Sequence, residues 1–390
     1  MAVTRRPAQT ILAAHSGAGL YATDRMFLES VLGLRESGGR VVVVLPSTGP
    51  LVTELVRAGA EVEIIEMLVV GDHLLRLREW PGTARRSLRG LLRSWRLINR
   101  VRPDVAYVST ATIPHWPLLA RCRGIRSISH LHEVARSGNG RLDRLLYLPH
   151  LASQRMLVSD RFSLEALRRV LPALARRADV VHSGVAAPRH PAPPREPLES
   201  PLRLLYMGRL SPHRSPDLAL EAAALLRQEG RRVEFTVLGS AEKGAERFEQ
   251  QLRVQAAASG VDVDFAGFHR DIWPFLARAD ILLAPSRVEE PFGHSAIEAV
   301  LALRPVVASD SKAGQKPEGG YRTARLVPPG DARATADALE EIIRSWSSIV
   351  RLLGASREAA LRRHDPATYR ARVNRACGAG ISDAPGNPRT

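Results

Sequence analysis

The sequence predicts an α/β protein of two domains, each built around a doubly wound parallel β-sheet. Short apolar runs alternate with segments of helical periodicity along most of the chain, which is the pattern of strands joined by crossover helices. The alternation is interrupted by a Pro-rich stretch, residues 188–201, and restarts at Leu202. A chain of 390 residues is long enough to bury two hydrophobic cores.

The domain boundaries are predicted from this interruption. Residues 1–190 are expected to form the first domain, 191–201 the linker and 202–376 the second domain, followed by a disordered tail at 377–390. In the first domain we predict strands at 10–14, 40–45, 61–65, 105–109, 125–130 and 179–182, and helices at 23–37, 51–58 and 86–101. In the second we predict strands at 202–207, 233–238, 263–265, 281–284, 306–308 and 326–327, and helices at 216–228, 245–259, 272–277, 293–302 and 332–353.

The composition indicates which kinds of partner the protein binds and in which cellular compartment it lies. The net charge is +16, and 53 of the 56 basic residues are arginines, since there are only three lysines. The sequence has no zinc-finger spacing, RNP-type motif or basic tail, so no nucleic-acid partner is predicted. The two cysteines do not indicate a disulfide framework, and no apolar run reaches the length of a transmembrane helix. We therefore expect a cytoplasmic protein, whose basic surface attracts anionic lipids at the inner face of the membrane.

The most informative segment is the strand, loop, helix and strand between Ser286 and Asp310. Glu290 lies in the loop, and Glu298 lies just over one turn inside a helix that begins near Gly293 or Ser295. Free backbone N–H groups at a helix start favour an anion such as a phosphate. A carboxylate one turn further on can accept hydrogen bonds from vicinal hydroxyls such as those of a ribose. Together these features indicate a sugar-nucleotide site.

This segment resembles the retaining glycosyltransferases of family 4, which have the GT-B fold. The residues that match the family pattern E-x-F-G-x-x-x-x-E-A and the P-V-V-A that follows it are Glu290, Phe292, Gly293, Glu298, Ala299 and Pro305 to Ala308. The resemblance implies two Rossmann-like domains that face each other across a cleft, and metal-independent transfer of a hexose from a nucleoside diphosphate sugar to a hydroxyl of a glycan or lipid-linked acceptor. It also implies that Glu290 holds the donor sugar and Glu298 the ribose, with Phe292, His294 and Ser295 beside them. No cofactor is expected.

A second motif follows the first strand of the second domain. The family has G-R-L and, a few residues later, K-G, and its two basic residues hold the diphosphate of the donor. Arg209 matches this pattern directly, whereas Arg214 and Ser215 stand where the family prefers lysine and glycine. Arginine also binds phosphate, but with a planar head that differs in shape from an ammonium group.

Three further groups of residues complete the predicted site. Gly17 and Gly19 follow the first strand, where the family has a glycine-rich loop that touches the donor, although a simple tight turn is an equal alternative. His132 is the better match to a family histidine near the donor sugar, with His130 as its competitor. Gly267 and Phe268 end a strand of the second domain whose loop lines the nucleotide in the family.

Other readings of the chain remain open. The D-x-D spelling at 262–264 flanks a strand and is rejected as a metal site, and no other metal-ligand spacing is present. The segment 84–102 has leucines and Trp95 on one face and arginines on the other, which fits either an interfacial membrane helix or an ordinary surface helix. The alternative functions are a GT-B enzyme of other chemistry, such as a sugar-nucleotide epimerase, and a non-catalytic basic protein of the membrane surface. A phosphorylase would need a pyridoxal lysine, and the contexts of Lys312 and Lys316 do not fit one.

Overall fold

The structure is a computed structural model, and it describes residues 9–67, 69–70, 80–132, 140–241, 245–287, 293–310 and 321–378. The chain forms two compact units, each of which has its own sheet. The first unit comprises Met1–Gly184 together with Pro366–Thr390, and the second comprises Val185–Asp365.

The first unit contains a parallel sheet of seven strands in the order β3-β2-β1-β4-β5-β6-β7. These strands are β1 (Thr10–Ala14), β2 (Arg40–Leu45), β3 (Glu61–Ile64), β4 (Val105–Val108), β5 (Arg126–Leu131), β6 (Arg155–Val158) and β7 (Ala178–Val180). Its helices are α1 (Ala22–Glu36), α2 (Pro50–Arg57), α3 (Trp80–Val101), α4 (His115–Cys122), α5 (Gly140–Tyr147), α6 (Arg161–Val170) and α7 (Pro172–Ala175), with a 3₁₀ helix at Leu148–Ala152. The strands β1, β2 and β4 are almost wholly buried because helices cover both faces of the sheet.

The second unit contains a parallel sheet of six strands in the order β10-β9-β8-β11-β12-β13. These strands are β8 (Leu202–Met207), β9 (Val233–Leu238), β10 (Asp262–Gly267), β11 (Ile281–Ala284), β12 (Val306–Ser309) and β13 (Ala324–Val327). The helices that follow β7 in the chain are α8 (Pro216–Gln228), α9 (Glu246–Ser259), α10 (Trp273–Arg278), α11 (His294–Leu301), α12 (Ala332–Arg344), α13 (Trp346–Arg363) and α14 (Pro366–Cys377). All of them except α14 belong to the second unit. The two-domain α/β prediction with doubly wound sheets is confirmed.

The predicted domain boundaries differ from these units at the C-terminus. The sequence analysis placed 202–376 in the second domain, but α14 belongs to the first unit and packs against α1. The Tyr369 hydroxyl lies 2.7 Å from the Ser30 hydroxyl, and Cys377 is fully buried rather than part of a tail. Burial raises the pKa of the Cys377 thiol to about 12. Residues 379–390 of the predicted tail lie outside the described residues.

The predicted linker is packed against the second unit. The Arg304 side chain is 1% exposed and donates to the carbonyl oxygens of Ala192 (3.1 Å) and Leu276 (2.8 Å). The Trp346 indole donates to the Arg195 carbonyl oxygen at 2.7 Å. Burial lowers the pKa of Arg304 to about 10, which still leaves it charged at neutral pH. Residues 185–201 therefore pack against the rest of the second unit, and we call this segment the strap.

Most predicted strands are confirmed within two residues at each end, and the differences have physical causes. The strand β6 and the helices α4 to α7 and α14 were not predicted. The single helix predicted at 332–353 is two helices, because the chain breaks at Ser345 and Trp346 is 5% exposed beneath the strap. Within the described part of the chain, no helix is both long enough and apolar enough to span a bilayer.

Candidate active site

In the second unit, the sheet changes winding direction between β8 and β11. Ligands of open α/β sheets bind at the carboxyl ends of the strands at such a point. The loop after β8 and the loop after β11 both begin at this point and are in contact. The Ser286 hydroxyl donates to the His213 carbonyl oxygen at 3.4 Å, and the Arg287 guanidinium forms an ion pair with Asp217, with one nitrogen–oxygen distance of 2.9 Å. The fold thus brings the loop that carries Arg209 and Arg214 into contact with Ser286 and Arg287, at the start of the segment 286–310.

The loop after β8 presents Arg209 and Arg214. The Tyr206 hydroxyl, at the end of β8, lies 2.9 Å from the Arg209 carbonyl oxygen and 3.1 Å from that of Arg214, and so fixes the curve of the loop. Both arginine side chains are half-buried. Two guanidinium groups held on one short, fixed loop are suited to an anionic group with several oxygens, such as a diphosphate.

Ser215 and Leu303, neither of which is a glycine, lie where the backbone is left-handed. Ser215 has φ +48° and Leu303 has φ +60°, a conformation that glycine adopts at no steric cost. The family pattern prefers glycine at position 215, and the left-handed backbone gives the physical reason. Ser215 compensates through its hydroxyl, which donates to the Pro212 carbonyl oxygen at 3.0 Å.

The helix α11 begins at the switch point. Gly293, one of the two residues predicted as its cap, is the N-cap residue, and His294 and Ser295 occupy the first two positions of the helix. Glu298 lies one turn further on and is 2% exposed. The first backbone N–H groups of α11 have no acceptor within the helix, so this end attracts an anion. The predicted residues Glu290 and Phe292 lie outside the described residues.

The loops after β9 and β10 lie at the same edge of the sheet. Gly239 N donates to the Gly267 carbonyl oxygen at 2.8 Å, and a Cβ on Gly239 would lie 1.8 Å from the Gly208 carbonyl oxygen. Gly239 must therefore be glycine for the loop after β8 to approach. Gly267 has φ +74° and open space around a Cβ, so its backbone angle favours glycine there. Phe268 is 40% exposed.

The first unit has its own switch point, between β1 and β4. His15 follows β1, and its Nδ1 lies 3.0 Å from the Ser109 carbonyl oxygen at the end of β4. The Ser109 hydroxyl lies 2.6 Å from His132 Nε2 after β5. His132 therefore stands at the switch point, whereas its competitor His130 lies inside the sheet, fully buried, with Nδ1 2.7 Å from the Tyr107 hydroxyl. Burial lowers the pKa of His130 to about 3, so its ring is neutral.

The structure gives Gly17 and Gly19 a role that the sequence did not indicate. A Cβ on Gly17 would lie 2.4 Å from Asp24 Oδ1, and a Cβ on Gly19 would lie 2.9 Å from Asp24 Oδ2. Both glycines therefore make room for one buried carboxylate. Their predicted contact with the donor stays a prediction. Asp24 itself was missed, although an acidic residue at the third position of a helix is a recognisable capping signal.

The helix α3 contains most of the segment 84–102, for which the sequence left a membrane helix and an ordinary surface helix as alternatives. Leu97 and Ile98 are 3% and 2% exposed and pack into the first unit, as in an ordinary surface helix. Leu88, Leu91 and Leu92, one to three turns earlier, are 59%, 39% and 49% exposed. Arg89, Arg93 and Arg96 on the same helix are also exposed.

The rejected D-x-D segment is part of β10. Asp262 and Asp264 are both exposed and lie on the same face of this edge strand, where side chains alternate. Among the described residues, no group of three or more His, Cys, Asp or Glu side chains is arranged to hold a metal ion.

Sequence models of two related families match the two parts of the chain. The model described as "Glycosyltransferase Family 4" matches residues 24–189, and "Glycosyl transferases group 1" matches residues 201–345. A glycogen synthase of Mycobacterium tuberculosis is 28% identical over 356 residues, which span 83% of this chain and 82% of that protein. A phosphatidyl-myo-inositol mannosyltransferase of Mycobacterium leprae is 32% identical over 165 residues, 42% of each chain.

Solved structures share the fold. Anabaena HepE in complex with UDP-glucose superimposes with a TM-score of 0.75 at 18% identity, over 95% of this chain and 99% of that one. Sucrose-phosphate synthase from Thermosynechococcus elongatus gives a TM-score of 0.73 at 16% identity, over 94% and 98%. With two family matches that fall on the two sheets, and a switch point where Arg209, Gly293 and Glu298 lie, the chain belongs to glycosyltransferase family 4 and is an enzyme of the GT-B fold that transfers a sugar from a nucleotide sugar.

Proposed function

We propose that the enzyme transfers a hexose from a nucleoside diphosphate hexose to a hydroxyl of a glycan or lipid-linked acceptor, without a metal ion and with retention of the anomeric configuration. The observation that carries this proposal is a contact between the loop with Arg209 and Arg214 and the residues that follow β11. In this contact the Ser286 hydroxyl donates to the His213 carbonyl oxygen. Arg209, Arg214 and the start of α11 supply the positive charge that a leaving diphosphate needs. In metal-dependent enzymes a divalent cation supplies it.

The proposed roles of the individual residues come from the family pattern, and for Glu298 and His132 their places in the fold support them. Glu298, buried one turn into α11, accepts hydrogen bonds from the ribose hydroxyls, and Glu290 holds the donor sugar. His132 contributes a hydrogen bond to that sugar. In the transfer step the bond from the anomeric carbon to the phosphate oxygen breaks, and the acceptor oxygen bonds to the same carbon on the same face. The acceptor proton passes to the leaving phosphate, so no separate protein base is required.

Names of the relatives support the donor and acceptor classes. The HepE complex contains UDP-glucose, and the M. leprae relative is named as a mannosyltransferase of a phosphatidylinositol. An amylovoran biosynthesis glycosyltransferase of Erwinia amylovora is 28% identical over 192 residues, 47% of this chain and 46% of that one. These names favour polysaccharide or glycolipid synthesis, and a place at the cytoplasmic face of a membrane is our proposal.

The donor site is tested by calorimetric titration of UDP and, separately, GDP in the presence of EDTA. One of the two is expected to bind the wild type. Glu298→Gln is expected to weaken that binding about tenfold or more, since a hydrogen bond to a charged group is worth roughly 1.5–3 kcal/mol. Glu358→Gln, on the exposed surface of α13, is the matched control and is expected to bind as the wild type does.

Each proposed property has its own contradicting outcome. Binding that EDTA abolishes would overturn the metal independence, and binding of neither nucleotide would overturn the donor class. The anomeric configuration of the product, read from its proton NMR coupling constant, tests retention, and an inverted product would contradict the same-face transfer.

We also propose that α3 contacts anionic lipids. Leu88, Leu91 and Leu92 offer apolar area for insertion, and the neighbouring arginines complement negative headgroups. The protein is expected to float with vesicles of phosphatidylglycerol and phosphatidylcholine but not with vesicles of phosphatidylcholine alone. Replacing the three leucines by serine should abolish flotation, while Val254→Ser, an exposed apolar residue of the second unit, should not. Equal flotation of both variants would show that α3 is an ordinary surface helix.

A further inference from the structure

A buried ion pair lies under the switch point of the first unit. His15 Nε2 lies 3.0 Å from Asp24 Oδ1, and the two side chains are 3% and 2% exposed. The His15 ring also stacks on Phe27, with 4.6 Å between ring centroids and 9° between planes. A charged pair removed from water costs free energy unless its hydrogen bonds are complete, so its presence at this point requires a reason.

The hydrogen bonds of the pair define its protonation. His15 Nδ1 faces the Ser109 carbonyl oxygen and Nε2 faces a carboxylate, and both are acceptors. Each ring nitrogen of His15 therefore faces an acceptor, and the ion-pair form, in which both nitrogens donate, completes both hydrogen bonds. Asp24 Oδ2 accepts from the Tyr21 backbone N–H at 3.0 Å, so each carboxylate oxygen of Asp24 has a donor. The pair is fully satisfied and net neutral.

Two segments of the switch point depend on this pair. The loop 15–21 is closed at one end by His15 and at the other by the bond from Tyr21 to Asp24, with Gly17 and Gly19 folded around the carboxylate. On the other side, the bond from His15 fixes Ser109, whose hydroxyl lies 2.6 Å from His132 Nε2. A series of three short contacts thus connects Asp24, through His15 and Ser109, to the His132 ring.

We propose that Asp24 and His15 are positioning residues of the transfer reaction: their buried ion pair fixes Ser109, and through the Ser109 hydroxyl it sets the orientation and tautomer of His132. The inference rests on the proposed function in that His132 is the residue that meets the donor sugar. A side chain that must meet one hydroxyl of a substrate gains from a fixed ring, since misplacement by about 1 Å can cost roughly 100-fold in rate. Asp24 and His15, which are 1% and 2% exposed, act through this series of contacts without touching substrate.

The deciding experiment is long-range ¹H–¹⁵N NMR of the imidazole rings in the full chain, labelled at histidine. His15→Gln and His132→Gln identify the two sets of signals by their loss. In the wild type, His15 is expected to show two protonated ring nitrogens and His132 a single tautomer. Asp24→Asn can keep the Tyr21 bond through its amide oxygen, which turns its NH₂ group toward His15. His15 should then lose the Nε2 proton, and the His132 signals should shift or split into two tautomers.

Two further variants separate positioning from a general loss of structure. Ser109→Ala should disturb His132 in the same way but leave His15 doubly protonated, because the Ser109 backbone carbonyl remains. Asp160→Asn changes a carboxylate that accepts the Ser163 backbone N–H at 2.6 Å at the start of α6, outside this chain of contacts, and should leave both histidines unchanged. A His132 spectrum that stays the same in Asp24→Asn and Ser109→Ala would overturn the proposal.

Turnover of UDP-glucose adds a kinetic readout. Asp24→Asn is expected to lower kcat about tenfold while KM for the donor stays within about twofold, since a misplaced His132 is felt mainly in the transition state. In a His132→Ala background the same change should have little further effect, because its effect on kcat passes through His132. If the losses of kcat caused by Asp24→Asn and His132→Ala were additive, the result would contradict an effect of Asp24 through His132. If the wild type consumes no UDP-glucose, that failure belongs to the proposed donor, and the imidazole spectra still decide the role of the ion pair.

Discussion

Gly33 of α1 faces Arg370 of α14 so closely that a Cβ on Gly33 would lie 2.7 Å from the Arg370 Cβ. The missing side chain lets the C-terminal helix settle on the first unit. Arg370 Nε then reaches Glu29 at 2.8 Å, and the Asn374 amide donates to the Gly33 carbonyl oxygen at 2.9 Å.

The first prediction follows from this contact. Gly33→Ala should lower the free energy of unfolding by about 1–3 kcal/mol, because the added methyl group has no room. Gly354→Ala, at a helical position of α13 with nothing within 4 Å of a Cβ, should raise it by about 1 kcal/mol through helix propensity. Thermal unfolding of the two variants beside the wild type measures both effects. Shifts of the same sign would contradict the close approach of α14.

The second prediction concerns the strained backbone at Leu303, with φ +60°. Leu303→Gly is expected to be more stable than Leu303→Ala by about 1 kcal/mol, since alanine keeps the Cβ that clashes in the left-handed conformation. Comparison with alanine cancels the loss of the leucine side chain. Denaturant unfolding of both variants gives the difference, and an alanine variant at least as stable as the glycine variant would show that this position carries no strain.

The third prediction concerns the phosphate-binding arginines. Arg209→Ala and Arg214→Ala are each expected to weaken nucleoside diphosphate binding about tenfold or more, because each removes a charge-assisted hydrogen bond of roughly 1.5–3 kcal/mol. Arg362→Ala on α13, with its side chain 72% exposed, is the control of the same residue type. Calorimetry with the bound nucleotide measures the three affinities. Equal weakening by all three changes would point to a general charge effect instead of a site.

The fourth prediction is a pH dependence in the first unit. Burial lowers the pKa of His115 and of His150 from 6.5 to about 4, and that of His130 to about 3. Below pH 6.5 the unfolded chain takes up protons that these folded histidines do not. The stability that their neutral forms contribute is therefore full above pH 6.5 and is lost as the pH falls toward 4 and 3.

Between pH 6.5 and 5 each such histidine adds a slope of up to about 1.4 kcal/mol per pH unit. Hydrogen exchange at the amides of β4 and β5, corrected for the intrinsic exchange rate, measures this loss. Protection that does not change across this interval would show that the three rings are accessible to protons in the folded state.

The sequence by itself determined the parallel α/β architecture, most strands and the edge of each sheet where the motifs lie. This is possible because strand and helix periods are local properties, and because carboxyl ends of parallel strands necessarily meet at one edge. It placed Arg209 and Arg214 in the loop after one strand and Gly293 and Glu298 at the start of a helix that follows another, and the structure has them there. That these two strands flank the switch point was decided by the strand order.

Only the tertiary structure decided where distant segments pack. The helix α14 joins the first unit through Tyr369, more than 330 residues from Ser30, and no local pattern records such a contact. The same holds for the break at Ser345, which follows from the burial of Trp346, and for Gly17 and Gly19, whose neighbour is the Asp24 carboxylate. The His15–Asp24 pair and its contact with Ser109 depend on strands that are adjacent in space and almost a hundred residues apart in the chain.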